Sequence, residues 1–302
     1  MKLLLIYNPA AAHGRAEKLL PDVKALFSQK SVDVELRLTE RPGHATDLVR
    51  EADFSVFDGV AAAGGDGTLF EAVNGYFPNP SPKRIPLGVL PLGTGNAFAR
   101  DMELDASRWR EAVDVIALNT PRRVDVGFFQ TEGKDYYYLN ILGLGFVADV
   151  GETAHKLKWL GNVSYTLGVF YRTIALNSHR LRIEIDGRTL ERENVFVEIS
   201  NTRYTSNFLM APNAKIDDGL LDVTLLSKLS RRRLLACFPK IFTGEHIHMK
   251  EVEQFQAKSI RVETDKPKVL TPDGELLGTT PVRVECLKQA LEVFWKKETG
   301  RR

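Results

Sequence analysis

The sequence predicts an α/β domain with a parallel sheet, followed by a mainly antiparallel β domain. Before residue 119, short apolar runs alternate with helix-period segments, which is typical of a parallel sheet with helical crossovers. Residues 119–125 (NTPRRVD) interrupt this alternation, and strand-like segments with a period of two follow. A chain of 302 residues can bury two hydrophobic cores, so we expect two domains.

Four strands are predicted in the first half, and a helix follows each of them. The strands are short and either apolar or alternating, at residues 3–7, 32–38, 60–63 and 85–90. The helices have apolar residues at helical spacing, at residues 16–27, 44–52, 97–102 and from Thr68 onward. The hydroxyl of Thr68 is predicted to cap the helix that it opens.

Two glycine-rich turns follow predicted strands, GGDGT at residues 64–68 and PLGTGN at residues 91–96. The first amides of a helix attract phosphate, and glycine lets the backbone approach an anion closely. Turns after parallel strands lie at one edge of the sheet, so the two turns are expected to face one crevice. Neither turn fits GxxxxGK[ST], which argues against a P-loop kinase.

Asp66 places an acid where phosphate is expected to bind. A carboxylate there repels phosphate unless a cation such as Mg²⁺ or a set of hydrogen-bond donors intervenes. The turn therefore favours a nucleotide that is bound together with a metal ion. The alternative is a tight turn with a surface aspartate, because short motifs of this kind produce many false positives.

A second glycine motif has a weaker claim to nucleotide binding. Residues 136–141 are predicted as a strand, and Gly143, Gly145 and Ala148 then match GxGxxA. The ribose-binding acid expected about twenty residues later is missing from residues 165–171, and β-rich segments follow. We therefore predict a structural glycine turn here, with a dinucleotide site as the alternative.

The second half contains predicted strands and two amphipathic insertions. The strands are at residues 181–186, 195–200, 221–226, 259–263, 282–287 and 291–295, and Asp186-Gly187 is a hairpin signal. The insertions, residues 155–176 and 230–242, combine apolar side chains with lysine or arginine. Each is interpreted either as a surface for anionic lipid or as a core helix with a solvated basic end. Pro239 argues against one straight helix in the second.

Acidic turns are the remaining polar candidates. Residues 215–222 (KIDDGLLD) contain a turn whose carboxylate and carbonyl oxygens can hold a hard cation, and residues 273–275 (DGE) contain a turn that can offer a base. Both patterns are also common in solvated turns. His246 and His248 are predicted on one strand face, but a third metal ligand is not apparent, so we interpret them as packing or surface residues.

Composition excludes several classes of protein. Forty-one Lys and Arg balance thirty-nine Asp and Glu, so no broad electrostatic footprint for nucleic acid is present. Two cysteines are too few for a disulfide framework, which favours a reducing cytoplasm. The apolar run near the start is too short for a signal peptide, and no run of eighteen apolar residues occurs. A cytoplasmic protein is expected, and its oligomeric state is not indicated.

Five spaced motifs together resemble the diacylglycerol kinase catalytic family, which includes bacterial lipid kinases and sphingosine-kinase-like proteins. The motifs are GGDGT at residues 64–68, PLGTGNAFAR at 91–100, RRVDVG at 122–127, APNAKIDDGLLDV at 211–223 and DGE at 273–275. The resemblance implies a nucleotide-binding α/β domain (residues 1–122 and about 292–302) and a β-sandwich domain for the lipid acceptor (residues 123–291), with the active cleft between them. It also implies transfer of phosphate from ATP, with Mg²⁺, to a lipid alcohol at the membrane surface, on its inner face.

The resemblance assigns roles to residues at matching positions. ATP contacts are implied for Asn8, Pro9, Ala10, Ala11, Ala12, Thr39, Gly64, Gly65, Asp66, Gly67, Thr68, Leu69, Phe70, Thr94 and Asn96. For Mg²⁺ the implied residues are Asp218 through its side chain, Lys215 and Leu220 through main-chain oxygens, and Asp125. Glu275 is the implied base with Asp273 as the alternate, and Asp66 completes the catalytic set. Ala12, Phe70 and Ala97 differ from the glycine, asparagine and aspartate common in the family.

Two other functions are kept as alternatives. An NAD kinase also uses GGDG on a related scaffold, although PLGTGNAFAR and the DGE turn favour the lipid branch. A non-catalytic lipid-binding regulator of the same fold is the second alternative.

Overall fold

The computed structural model describes residues 1–145 and 178–296. The chain divides into two compact units, Met1–Val124 with Gln289–Arg302, and Asp125–Lys288. The predicted insertion at residues 155–176 lies outside the described residues.

The first unit alternates strands with helices. Its strands are β1 (Lys2–Tyr7), β2 (Asp33–Leu38), β3 (Gly59–Gly64) and β4 (Leu87–Pro91). Its helices are α1 (Arg15–Gln29), α2 (His44–Arg50), α3 (Asp66–Tyr76), α4 (Ala97–Asp101) and α5 (Trp109–Ala117), with a short 3-10 helix at Phe54–Val56.

The second unit is mainly β. Its strands are β5 (Pro121–Thr131), β6 (Lys134–Tyr138), β7 (Ile141–Gly145), β8 (His179–Ile185), β9 (Arg188–Ser200), β10 (Tyr204–Thr205), β11 (Phe208–Leu209), β12 (Leu221–Ser227), β13 (Val252–Ala257), β14 (Ser259–Thr264), β15 (Leu270–Pro272) and β16 (Val282–Phe294). Helix α6 (Arg231–Cys237) and 3-10 helices at Phe238–Ile241 and Glu245–His248 lie between β12 and β13. The first residues of β5 and the last residues of β16 belong to the first unit.

The first unit is built on a parallel sheet in the order β16, β4, β3, β1, β2. Strands β3 and β4 are buried throughout, which explains their continuous apolar sequences. The register aligns Leu38, Tyr7, Ala63 and Leu90 at the carboxyl ends of four neighbouring strands. The loops that follow these strands therefore start along one edge of the sheet.

The second unit has antiparallel pairing in the order β13, β12, β9, β8, β14, β16. The long strand β9 pairs with β8 through its first half and with β7 through its second half, and β7 pairs in turn with β15. This exchange of partners along one strand is typical of a β-sandwich. The predicted fold class, a parallel α/β unit and an antiparallel β unit, is confirmed.

Three local predictions were wrong. The strands expected at residues 282–287 and 291–295 are one strand, β16, which continues through Gln289 although this residue adopts a positive φ of 50°. Gly143 and Gly145 do not form a turn, since Gly143 lies within β7 and Gly145 ends it. His246 and His248 do not share a strand face, because Gly244 at φ 78° starts a 3-10 helix there.

The histidines are nonetheless packing and surface residues, as predicted. His246 is buried, and its Nε2 lies 3.0 Å from the carbonyl oxygen of Met210, whereas His248 is exposed. In the second amphipathic insertion, α6 ends at Cys237 and a 3-10 helix containing Pro239 follows, so the predicted break is confirmed. No helix among the described residues is both long enough and apolar enough to cross a membrane.

Candidate functional site

Main-chain hydrogen bonds bring together the loops that follow the parallel strands. The N–H of Asn8 donates to Ala63 O at 2.9 Å, and the N–H of Thr39 donates to Tyr7 O at 2.9 Å. The N–H groups of Leu92 and Gly93 both donate to Gly64 O, at 2.8 and 2.9 Å. Each loop is thus attached to its neighbour where the strands end.

The two glycine-rich turns meet at Gly65 and Gly93. A Cβ on Gly93 would lie 2.3 Å from the Cα of Gly65, and a Cβ on Gly65 would lie 3.3 Å from the Cα of Gly93. Main chain therefore contacts main chain, which only glycine at position 93 allows. The prediction that these turns lie together at one edge of the sheet is confirmed.

Asp66 joins the same two turns through its side chain. Its Oδ1 accepts the N–H of Ala97 at 2.7 Å, at the first residue of α4. The surrounding protein desolvates the carboxylate and raises the pKa of Asp66 to about 6, although hydrogen bonds from Ala97 and Asn96 and the charge of Arg100 act in the opposite direction. Part of the residue still reaches solvent. A carboxylate in this environment gains from a nearby cation.

Thr68 does not cap α3, because the helix begins at Asp66 and Gly65 is its N-cap. Thr68 lies in the first helical turn instead, and its hydroxyl accepts a hydrogen bond from Asn8 Nδ2 at 3.0 Å. Asn8 Oδ1 in turn accepts the N–H of Ala10 at 3.0 Å. The hydroxyl of Thr68 thus connects the loop after β1 with the start of α3.

The other predicted ATP residues differ in exposure. Thr94 is exposed on the second turn, and Thr39 is partly exposed after β2. Leu69 and Phe70 are 3% and 6% exposed, so their side chains belong to the core of the unit. Ala12 has a positive φ of 49°, a conformation that favours glycine. This geometry gives a physical reason for a glycine at that position.

In the second unit, Asp125 holds the DDG turn. Its side chain is fully buried, and its Oδ2 accepts the N–H of Gly219 at 2.6 Å. Its own N–H donates to Ile216 O at 2.6 Å, so both ends of the turn are attached to Asp125. Within the turn, Asp218 Oδ1 accepts the N–H of Leu220 at 3.0 Å, whereas Lys215 is exposed.

Several acidic side chains lie around this turn, and the pKa values of two nearby groups are raised. Burial raises the pKa of Asp222 to about 6; a hydrogen bond from Gln256 opposes the shift, and the charge of Asp218 adds to it. Burial also raises the pKa of the Cys286 thiol to about 12, with contributions from Asp125 and Asp218. Carboxylates of this kind fit Mg²⁺, which takes one or two of them together with water and phosphate oxygens. The described residues contain no cluster of three His, Cys, Asp or Glu side chains that could enclose a metal by themselves.

The DGE turn separates its two acids into different environments. Asp273 is 7% exposed; its Oδ1 accepts the N–H groups of Asn140 and Ile141 at 2.9 and 3.0 Å, and its Oδ2 accepts the N–H of Leu139 at 3.1 Å. Glu275 is exposed, and its N–H closes the turn on Pro272 O at 2.8 Å. Of the two acids, Glu275 is the one whose side chain can reach a ligand from solvent.

Two polar residues of this unit were not singled out from the sequence. Glu198 is 1% exposed on β9, where its Oε1 accepts hydrogen bonds from Thr205 at 2.7 Å and Ser200 at 3.4 Å, and burial raises its pKa to about 7. Asn201, directly after β9, is also 1% exposed. A single acid inside the apolar run VFVEIS was the available signal for Glu198. Nothing in the sequence marked Asn201.

Two family models match the chain. The diacylglycerol kinase catalytic domain matches residues 2–129, and the YegS C-terminal NAD kinase beta sandwich-like domain matches residues 140–295. The first match contains both glycine-rich turns, and the second contains the DDG and DGE turns.

Relatives with known names match over nearly the whole chain. A diacylglycerol kinase of Bacillus subtilis is 30% identical over 97% of this chain and 96% of its own length. Diacylglycerol kinases of Staphylococcus haemolyticus and Mycobacterium tuberculosis are 32% and 29% identical, over 97% of this chain and 88% and 94% of their own lengths.

A solved structure agrees with these relatives. The crystal structure of a diacylglycerol kinase from Bacillus anthracis superposes with a TM-score of 0.80 at 28% identity, covering 99% of this chain and 98% of that chain. Sequence and fold therefore agree, and this chain belongs to the diacylglycerol kinase catalytic domain family, a family of lipid kinases.

Proposed function

We propose that this protein is an ATP- and Mg²⁺-dependent kinase that transfers the γ-phosphate of ATP to a hydroxyl group of a lipid such as diacylglycerol or a sphingoid base. The observation that carries the proposal is the contact between the Gly65 and Gly93 turns at the carboxyl ends of β3 and β4. The names of the relatives from three bacterial genera favour diacylglycerol among the possible acceptors.

The first unit is assigned to ATP. We assign the Asn8–Ala12 loop, the Gly64–Thr68 turn and Thr94 to the phosphates, because Ala12, Gly65 and Gly67 are partly exposed and Thr94 is exposed. The first N–H donors of α3 lie at this place, together with the positive end of the helix dipole. Asp66 and Asn8 keep these loops in place through their contacts with Ala97 and Thr68. Fixed donors of this kind stabilise the charge of a transferring phosphoryl group without reorganisation during the reaction.

The second unit is assigned to the metal and the base. Asp218, with main-chain oxygens of Lys215 and Leu220, would hold Mg²⁺, and Asp125 would keep their turn in position. When bound, Mg²⁺ neutralises charge on the phosphates. Glu275 would accept the proton of the lipid hydroxyl, whose oxygen bonds to the γ-phosphorus as the bond to ADP breaks. Asp273 would orient this turn, because three amides occupy its carboxylate.

A cationic and apolar surface around α6 supports peripheral contact with a membrane. This α6 surface consists of exposed Arg231, Arg232, Leu235, Lys240 and Phe242, of which Leu235 and Phe242 are 38% and 49% exposed. Basic residues beside exposed apolar side chains fit an anionic lipid surface, such as the cytoplasmic face of a membrane.

We expect Arg231→Glu to weaken binding to anionic vesicles about tenfold. Arg188→Glu, at an exposed arginine on the β8–β9 hairpin, is the control and should leave binding unchanged.

The test is phosphorylation of lipids with γ-labelled ATP, using vesicles that contain diacylglycerol, a sphingoid base, ceramide or phosphatidylglycerol. A labelled product in the organic phase supports the proposal. Asp66→Ala and Glu275→Ala are each expected to abolish it, with circular dichroism unchanged. Near-normal turnover in both variants would remove the assigned roles.

The same assay separates the alternatives. Phosphorylation of NAD, with the label remaining in the aqueous phase, would identify an NAD kinase. Binding to lipid vesicles without any turnover of ATP in the presence of Mg²⁺ would identify a non-catalytic regulator.

A further inference from the structure

Asn201 donates hydrogen bonds to two separate segments of the second unit. Its Nδ2 donates to Asp125 O at 3.0 Å and to Leu139 O at 2.9 Å. Its main-chain N–H donates to Asn140 O at 2.8 Å. The residue is 1% exposed, so water does not replace these contacts.

Each of the two segments holds one acidic turn. The carboxylate of Asp125 accepts the N–H of Gly219 in the DDG turn. The N–H groups of residues 139–141 donate to the carboxylate of Asp273 in the DGE turn. A continuous series of hydrogen bonds therefore runs from Gly219 through Asp125, Asn201 and Leu139 to Asp273.

The chemistry of an amide suits this position. A primary amide carries two N–H groups on one uncharged nitrogen, so it can satisfy two carbonyl oxygens in a buried place without a charge. Asn201 Oδ1 has no hydrogen-bond partner among the described residues. Burying an unpartnered oxygen is unfavourable, which indicates that the two donor contacts outweigh its cost.

We propose that Asn201 is a positioning residue that couples the DDG turn to the DGE turn, so that neither the metal-binding nor the base-bearing turn shifts without the other. This inference rests on the proposed function for the meaning of the two turns, but the coupling is a property of the chain and can be measured without activity. Buried hydrogen-bond networks that support ligands act in this way on metal affinity and rate.

Hydrogen exchange in the metal-free protein tests the coupling directly. In Asn201→Asp, carboxylate oxygens face the carbonyls of Asp125 and Leu139, so both contacts are lost. We expect exchange to accelerate about tenfold or more at two places together, at Gly219 and at residues 139–141. Asn194→Asp is the control, because Asn194 is 3% exposed on β9, the strand that Asn201 follows, and its Nδ2 has no partner among the described residues.

A selective acceleration at both turns in Asn201→Asp, absent from Asn194→Asp, supports the proposal. Acceleration at one turn only, or an equal and uniform acceleration in both variants, overturns it. If Asn201→Asp does not fold, Asp273→Asn replaces it, since loosening the DGE turn must then accelerate exchange at Gly219. Unchanged exchange at Gly219 in that variant also overturns the coupling.

Kinetics then separate positioning from a purely structural role. We expect Asn201→Asp to raise the Mg²⁺ concentration for half-maximal rate and to lower kcat, each by about 10–100-fold. KM for ATP should remain unchanged, because the ATP loops belong to the first unit. Equal changes in all three constants would contradict a positioning role. If the wild-type protein phosphorylates no lipid, the proposed function fails, whereas the exchange result still decides the coupling.

Discussion

The candidate sites of the two units depend on different kinds of contact. In the first unit, main chain packs on main chain at Gly65 and Gly93, and Asp66 is the acid that joins the turns. In the second unit, the buried carboxylates of Asp125 and Asp273 collect main-chain N–H groups. The first kind of site should therefore be sensitive to added atoms, and the second to loss of charge. Four changes to the chain test this difference between the units.

The largest effect is expected from an added methyl group at the contact of the two glycine turns. In Gly93→Ala the new Cβ would lie 2.3 Å from the Cα of Gly65, and main chain cannot rotate away as a side chain can. We expect a loss of more than about 3 kcal/mol in the free energy of unfolding, beyond ordinary overpacking. Urea unfolding measures this loss.

Gly65→Ala provides the matched control. Its Cβ would lie 3.3 Å from the Cα of Gly93, a distance that a small shift relieves. Its loss in stability should be clearly smaller than that of Gly93→Ala. Equal losses, or a stable Gly93→Ala, would show that the contact between the two main chains does not limit the first unit in this way.

The next effect concerns the protonation of the buried carboxyl group of Glu198. Burial raises the pKa of Glu198 from 4.5 to about 7, so the folded protein holds this proton at a pH where the unfolded chain releases it. The contribution of Glu198 to stability therefore falls as pH rises from about 4.5 to about 7, by about 3 kcal/mol. Glu198→Gln cannot ionise and should lose this dependence.

Thermal unfolding at pH 5 and pH 8 checks the result. The advantage of Glu198→Gln over the wild type should grow between the two values. Glu184→Gln, at an exposed position on β8, is the control and should show no such growth. An unchanged difference for Glu198→Gln would show that this carboxyl does not titrate in that window.

A smaller effect separates the two acids of the DGE turn. Asp273→Asn replaces a carboxylate oxygen with an NH₂ group that faces main-chain N–H donors, so we expect a loss of about 2 kcal/mol in stability. Glu275→Gln changes an exposed side chain and should leave stability within about 0.5 kcal/mol. Its lipid kinase rate should nevertheless fall by a factor of about 100 or more.

Urea unfolding and the labelled-ATP assay together give both quantities. A stability loss in Glu275→Gln equal to that in Asp273→Asn would remove the distinction between the two acids. A normal rate in a stable Glu275→Gln would remove the base assignment.

The smallest effect should come from Ala12. A φ of 49° costs an L-residue about 1 kcal/mol, a cost that glycine at this position would avoid. Glycine also makes the unfolded chain more flexible, which cancels part of this gain in stability. We expect Ala12→Gly to be neutral or to stabilise by up to about 0.5 kcal/mol. Ala11→Gly, at a residue without a positive φ, should destabilise instead. Calorimetry distinguishes the two, and an equal loss in both would remove the strain assigned to Ala12.

Local sequence patterns predicted the elements of the first unit well. Apolar runs, alternation and helical spacing located β1 to β4, α1 and α2 within a few residues. Strands β1, β3 and β4 are buried and therefore have continuous apolar sequences, whereas the partly exposed β2 alternates. The same patterns missed α5 (Trp109–Ala117) and the β5–β6 hairpin. They also divided β16 in two by leaving residues 288–290 (KQA) out of the predicted strands, although backbone pairing there depends on the neighbouring strands.

The sequence by itself determined the fold class and the five motifs with their candidate acids, since these depend on periodicity and residue type within short segments. Only the tertiary structure decided the environment of each acid. Asp273 and Asp125 receive main-chain N–H groups from residues far away in the chain, whereas Glu275 stays exposed. Asn201 likewise finds distant partners, the carbonyl groups of Asp125 and Leu139, and Glu198 is buried although its hydrogen-bond partners are near in the chain. Hydrogen bonds and burial are set by partners that no local pattern names, so they emerge only when the chain is folded.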